Sequence, residues 1–143
     1  MRMNQVTFPV YEMKAATEFY KNMGFELIVD TPHYARFHCL DGNASFSLSL
    51  QEKSEKNTST IYFEHEQLDE LVQQLIERGF VFDQMPTEQT YLWREAVLHD
   101  PSCNKIKLYW AGENRLNPPW RVNKINEIEA TNLTKIQSIR SKS

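Results

Sequence analysis

Apolar and polar residues alternate over Gln5–Val10, and the period then lengthens to a helical stripe that closes at Met23-Gly24-Phe25. Fifty-five residues on, Thr60–His65 alternates in the same phase, and a second helical stripe closes at Arg78-Gly79-Phe80. Val6 corresponds to Ile61, Phe8 to Phe63, Met13 to Leu68, Ala16 to Leu71, Tyr20 to Leu75 and Gly24 to Gly79. Apolar residues at i, i+3 and i+7 give each helix one stripe that packs on a sheet. Each stripe ends at a glycine, the residue that most readily takes the left-handed conformation past a helix C-terminus.

Beyond each glycine the period becomes strand-like. Phe25–Asp30, His33–Cys39 and Ala44–Gln51 read as strands, parted by turn signals at Thr31-Pro32 and Asp41-Gly42-Asn43. Phe80–Met85, Tyr91–His99 and Asn104–Trp110 read likewise, with turns at Met85-Pro86 and Asp100-Pro101. The expectation is an α+β fold of two βαβββ modules, about 4–52 and 59–110, with curved mixed sheets and helices on the outer face. A four-stranded unit alone buries little surface, so the two should share a core. One domain is expected over residues 1–122, with 111–122 as a docking segment anchored by Trp120 after Pro118-Pro119. Residues 123–143 place Ile125, Ile128, Ile136 and Ile139 at helical spacing among many polar residues, which predicts a marginal helical tail.

Side chains alternate across a strand, so parity sorts the two faces. Val6, Phe8, Val10, Ile61 and Phe63 should lie under the helices, with Phe46, Leu48, Ile106 and Leu108. The opposite faces then carry Gln5, Thr7, Tyr34, Arg36, His38, the Ser45/Ser47/Ser49 ladder, Thr60, Tyr62, Glu64, Lys107 and Tyr109. Over Tyr91–His99, Trp93, Glu95 and Val97 are assigned to this polar trough, Ala96 and Leu98 to the core, and Arg94 to the rim. Cys39 has core parity, where a thiol is an inert small hydrophobe.

Composition narrows the classes. The 143 residues are 41% hydrophobic and 24% charged, which excludes wholesale disorder. No apolar run approaches the ~18 residues of a membrane span, and the first residues lack a signal-peptide pattern, so a cytoplasmic location without membrane partners is expected. Two cysteines without C-x-x-C spacing offer no disulfide framework. A net charge of −3 gives no footprint for nucleic acid.

Ala15-Ala16-Thr17-Glu18-Phe19-Tyr20 before Gly24-Phe25, the duplicated βαβββ pattern, and the run from Asp100 to Tyr109 resemble the vicinal oxygen chelate superfamily. That superfamily includes glyoxalase I, bleomycin-resistance proteins, fosfomycin-resistance enzymes and extradiol dioxygenases. The resemblance spans about residues 5–110 and is strongest in the D-P-x-G-N-x-I-x-L-Y signature, where Cys103 replaces the glycine. Residues 111–121 resemble a marker of one subgroup. Metal-dependent members place His or Gln on the first strand, His on the first strand of the second half, and Glu on the last. The matching positions hold Gln5, Thr60 and Lys107. A divalent ion needs deprotonated oxygen or imidazole donors, and an ammonium repels it. The resemblance therefore implies a member without metal or other cofactor. His33 and His38 face opposite sides of one strand, and His38, Glu64 and Glu95 converge to rebuild a site only if the strand order brings them together.

The remaining polar positions suit binding. Arg36 and Lys107 are candidates to hold an anionic group, Tyr34, Tyr62 and Trp93 to stack on a ring, His38 to line the trough, and Glu64 or Glu95 to pair a cation or act as general base. Cross-strand ion pairing on a wet sheet face accounts for the same charges without a ligand. Three functions fit: a metal-independent small-molecule-binding protein of the bleomycin-resistance type, a lyase or isomerase using a nonstandard metal site or a carboxylate base, and a ligand-free scaffold or regulatory dimer. The first is favoured, as a homodimer whose partner covers exposed sheet edges.

Overall fold

The computed structural model describes residues 1–54, 56–122 and 134–140. Two compact units divide at Trp110. The first runs β1 (Gln5–Val10), α1 (Met13–Met23), β2 (Glu26–Asp30), β3 (Tyr34–His38), β4 (Ser45–Leu50), β5 (Thr60–Glu64), α2 (Leu68–Glu77), β6 (Gln84–Glu88), β7 (Arg94–His99) and β8 (Lys105–Trp110). It contains two four-stranded sheets of the same topology, β1-β4-β3-β2 and β5-β8-β7-β6. In each, the strand before the helix pairs parallel with the last strand, and the others pair antiparallel. The α+β architecture of two βαβββ modules is as the repeat predicts.

The helices bury the stripes expected of them. Met13, Ala16, Thr17, Tyr20 and Met23 are buried on α1, and Leu68, Val72 and Leu75 on α2. Gly24 ends α1 at φ 114, a left-handed conformation that a Cβ would strain. Beneath the helices the modules share one core. Phe46 packs against Phe8, Tyr20, Phe25, Phe37 and, from the other module, Phe63 at 5.5 Å between ring centroids. Phe25 and Phe63 meet at 4.6 Å, and Phe19 and Phe80 at 5.1 Å.

A second bond between modules is polar. The turn before β8 is closed by Asp100 N–H donating to Asn104 C=O at 3.0 Å. Asp100 accepts the Tyr20 phenol at 2.7 Å and the Asn104 side-chain amide at 2.8 Å, and the same amide nitrogen donates to Pro9 C=O at 2.7 Å. Burial, followed by the Asp100 charge, pushes the Tyr20 phenol far above its ordinary pKa. Ser102 Oγ accepts Tyr11 N–H at 2.9 Å. The D-P-x-x-N run thus ties the second module to the end of β1.

Three sequence expectations are corrected. The strand expected at Phe80–Met85 lies at Gln84–Glu88. Phe80 and Phe82 instead pack on the core from the connection, and Pro86 sits inside the strand rather than at a turn. Proline is tolerated there because β6 is an edge strand and its pairing is irregular between Gln84 and Thr87. The strand expected from Tyr91 starts at Arg94, since Leu92 adopts φ 66 and turns the chain. Val6, expected under the helices, is 41% exposed at the start of β1.

The second unit opens with a 3-10 turn at Gly112–Arg115. Trp120 is exposed, and Arg121 donates to Asn117 Oδ1. Residues 134–140 are helical, with Ile136 and Ile139 exposed. Ile125 and Ile128, of the expected tail helix, lie outside the described residues.

Candidate functional site: two polar sheet faces and a seam cleft

Strand register sets the polar face of the second sheet in rows. Glu64, Tyr109 and Glu95 form one row across β5, β8 and β7, and Tyr62, Lys107 and Val97 the next. Val97 is buried, and Ala96 and Leu98 are in the core, as parity requires. Glu95 is only 2% exposed. Its Oε1 accepts Lys107 Nζ at 3.1 Å and the Tyr91 hydroxyl, whereas Oε2 is buried without a hydrogen-bond partner. Burial alone lowers the Lys107 pKa, but the Glu95 carboxylate outweighs it and the pKa is raised. For Tyr91, burial and then Glu95 both raise the phenol.

Aromatic rings surround this pair. Trp93 and Tyr109 stack at 4.7 Å, Tyr62 stands edge-on to both, and Tyr91 meets Trp93 at 6.1 Å. Lys107 Nζ lies 5.6 Å from the Tyr62 ring centroid, a cation–π distance. Five residues assigned to the trough, Tyr62, Trp93, Glu95, Lys107 and Tyr109, therefore meet in one place. Tyr91 was not among the site candidates. It belongs to the turn that brings β7 into the sheet, and strand periodicity carries no signal for a side chain reaching back from a turn.

The first sheet builds a separate polar cluster. Gln5 Nε2 donates to Ser47 Oγ at 2.9 Å, and Ser45 Oγ donates to Gln5 Oε1 at 2.9 Å. Ser47, fully buried, shares a 2.6 Å hydrogen bond with the Tyr34 hydroxyl, which also accepts Arg36 Nε at 3.0 Å. The Ser47 bond, with help from Arg36, holds the Tyr34 phenol below its ordinary pKa. His38 turns to the strand end, where its ring meets Gly42 C=O at 2.9 Å and Glu26 at 3.6 Å. Arg94 lies on the helix side, in a two-bond ion pair with Asp69 at 2.9 Å per bond.

The three positions matched to the metal-binding slots of the resemblance hold an amide clasped by two serines (Gln5), a half-buried hydroxyl (Thr60) and an ammonium paired to Glu95 (Lys107). Among the described residues no group of three His, Cys, Asp or Glu gathers to hold an ion. These donors do not suit a divalent cation, which wants anionic oxygen or imidazole. Cys39 is half-buried and Cys103 exposed.

Between the modules, where β1 starts and β5 ends, lies a cleft of about 460 Å3. Gln5, Tyr62 and Glu64 reach it from the polar faces, and Phe25, Phe63 and Leu75 from the core side. No helix among the described residues is long and apolar enough to cross a membrane.

Residues 2–108 match the family model for the Glyoxalase/Bleomycin resistance protein/Dioxygenase superfamily. The chain is similar in fold to a glyoxalase/bleomycin resistance protein/dioxygenase from Nocardioides, with a TM-score of 0.70 at 16% identity over 86% of this chain and 90% of that one. A family member from Sphaerobacter thermophilus gives 0.66 at 23% identity, covering 77% and 97%. A lactoylglutathione lyase from Agrobacterium tumefaciens gives 0.65 at 15% identity, covering 76% and 92%. No curated protein matches the sequence.

Proposed function

We propose that this chain, which belongs to the glyoxalase/bleomycin resistance protein/dioxygenase superfamily, is a metal-independent small-molecule-binding protein. Its ligand is a planar aromatic molecule with a hydrogen-bond donor, held on the polar face of the second sheet. The observation that carries this reading is Glu95. A carboxylate 2% exposed, with one oxygen bonded to Lys107 and Tyr91 and the other without a partner, is costly unless a donor completes it. Tyr62, which is 47% exposed and two strands away from Glu95 across β8, offers an open ring edge-on to Trp93, so a stacking surface stands close to the turn that leads into the carboxylate's strand. A fold shared by many functions does not choose among ligands, and the choice made here rests on these side chains.

Metal independence is part of the proposal and is supported by the donors at Gln5, Thr60 and Lys107. A homodimer is part of it as well, supported by the edge strands β1, β2, β5 and β6, each paired on one side only within its sheet. The test is a thermal-shift screen of phenols, indoles and hydroxylated heteroaromatics with the metal-free protein. A hit should raise the melting temperature in the native chain and fail to do so in Glu95→Gln. Hits that need added metal, or that bind Glu95→Gln equally well, would return a metal-assisted lyase or isomerase to first place.

A further inference from the structure

The two modules align residue by residue through the closure of their last hairpins. His38 pairs with Ser45 as His99 pairs with Lys105. The next residue inward closes the turn: Cys39 N–H donates to Ala44 C=O at 2.9 Å, as Asp100 N–H donates to Asn104 C=O at 3.0 Å. Cys39 therefore stands in the place of Asp100, and Ala44 in the place of Asn104. On the helices Leu75 stands in the place of Tyr20, and on the first strands Glu64 in the place of Pro9.

At one end of the seam the triad Tyr20, Asp100 and Asn104 is buried and fills the space between modules, with Asn104 bonded to Pro9 C=O. At the other end the equivalent residues are an isobutyl, a thiol and a methyl group. Each is smaller than its counterpart, and none carries a strong hydrogen-bonding atom. The cleft of about 460 Å3 opens at that spot, and Leu75, Cys39, Ala44 and Glu64 all line it.

We propose that this cleft is a second binding site, for a small neutral molecule with a compact aromatic or aliphatic body and one hydrogen-bond donor. The ligand supplies here what the Tyr20 ring and the Asn104 amide supply at the opposite end. The volume lies within the ~300–1,000 Å3 of small-molecule sites, which favour the junction of two structural units. Phe25, Phe63 and Leu71 give it apolar walls, which disfavour a charged occupant by leaving its charge unsolvated. Asp41 and Glu64 on its lining repel anions in particular. Neither Glu95 nor Lys107 lines the cleft, and of the residues that hold the ligand proposed above only Tyr62 borders both sites.

The test uses the full chain with Cys103→Ser, which leaves Cys39 as the single thiol. N-phenyl-1-naphthylamine, a neutral apolar fluorophore, is the probe. Its fluorescence should rise to saturation at one probe per chain. At about ten times its Kd it should slow N-ethylmaleimide modification of Cys39 about tenfold, because a thiol in an occupied cleft reacts only from the free fraction. Val6→Trp, a change at a 41% exposed position on the cleft lining, should abolish saturable binding and leave the circular dichroism spectrum unchanged. Fluorescence that does not saturate, Cys39 reactivity indifferent to probe, or probe binding that weakens as protein concentration rises, the mark of a second copy seated in the cleft, would overturn the proposal.

Discussion

Asn104 and Pro9 are joined by a 2.7 Å hydrogen bond from the side-chain amide of one to the carbonyl of the other, across 95 positions of sequence. The same nitrogen donates to Asp100, and Asn104 Oδ1 accepts Asn57. Asn104 is 1% exposed, and removing its amide leaves Pro9 C=O and Asn57 Nδ2 without this partner and takes one of the donors from Asp100. Asn104→Ala should therefore destabilise the protein by about 3 kcal/mol, read as a lower urea midpoint at unchanged m-value. A midpoint within error of the native one would mean that the modules are held by their shared aromatic core alone.

Cys103 adopts φ 64, which explains why the family signature prefers glycine there. A side chain in the left-handed region costs about 1–2 kcal/mol, partly offset by the entropy that glycine loses on folding. Cys103→Gly should stabilise the fold by about 0.5–1 kcal/mol, and Cys103→Val should destabilise it. Thermal melts of the two variants decide this.

How much of this was legible in the sequence follows from the range of each interaction. The repeat exposed both helices, both glycine ends and most strands, since period and phase are local properties. Parity placed Glu95 and Val97 on one face and Ala96 and Leu98 on the other, although the strand begins three residues later than read. Pro86 misled because proline marks turns more often than edge-strand irregularities, and the shift of β6 followed from it. The hydroxyl of Tyr91 on Glu95 and the amide of Asn104 on Pro9 had no periodic trace. Their partners are set by turns and by module packing, which no window of neighbouring residues encodes.

Lys107 and Glu95 give a pH signature. The Lys107 pKa is raised because the neighbouring carboxylate outweighs burial, so its stabilising contribution is fully present below the ordinary lysine pKa of about 10.4 and is lost as pH climbs through the higher folded value. Lys107→Met leaves Glu95 buried with Tyr91 as its hydrogen-bond donor and should cost about 3 kcal/mol at neutral pH. The variant should also lose stability less steeply above pH ~10. Urea midpoints of both proteins across the alkaline range test the two statements together.

Tyr34 offers an optical check on the first sheet. Its phenol is held low by the Ser47 hydrogen bond and by Arg36, whereas Tyr20 is held high by burial and Asp100. In an alkaline absorbance titration Tyr34 should ionise below the ordinary tyrosine pKa of about 10, and folding should favour its phenolate as pH rises through that point. Tyr34→Phe should delete the earliest step, and Ser47→Ala should move it upward. An unchanged first step in both variants would contradict the cluster.

The ammonium of Lys107 and the hydroxyl of Thr60 stand where the resemblance places carboxylate and imidazole, and metal independence follows from them first of all. Calorimetric titration of the metal-stripped native chain with Ni2+, Zn2+, Mn2+ and Fe2+ tests metal independence most directly, with Thr60→His/Lys107→Glu run in parallel. The native protein should show no heat beyond dilution and an unchanged melting temperature in EDTA, and the double variant should bind metal. Stoichiometric binding to the native chain, lost on Gln5→Ala, would contradict the account.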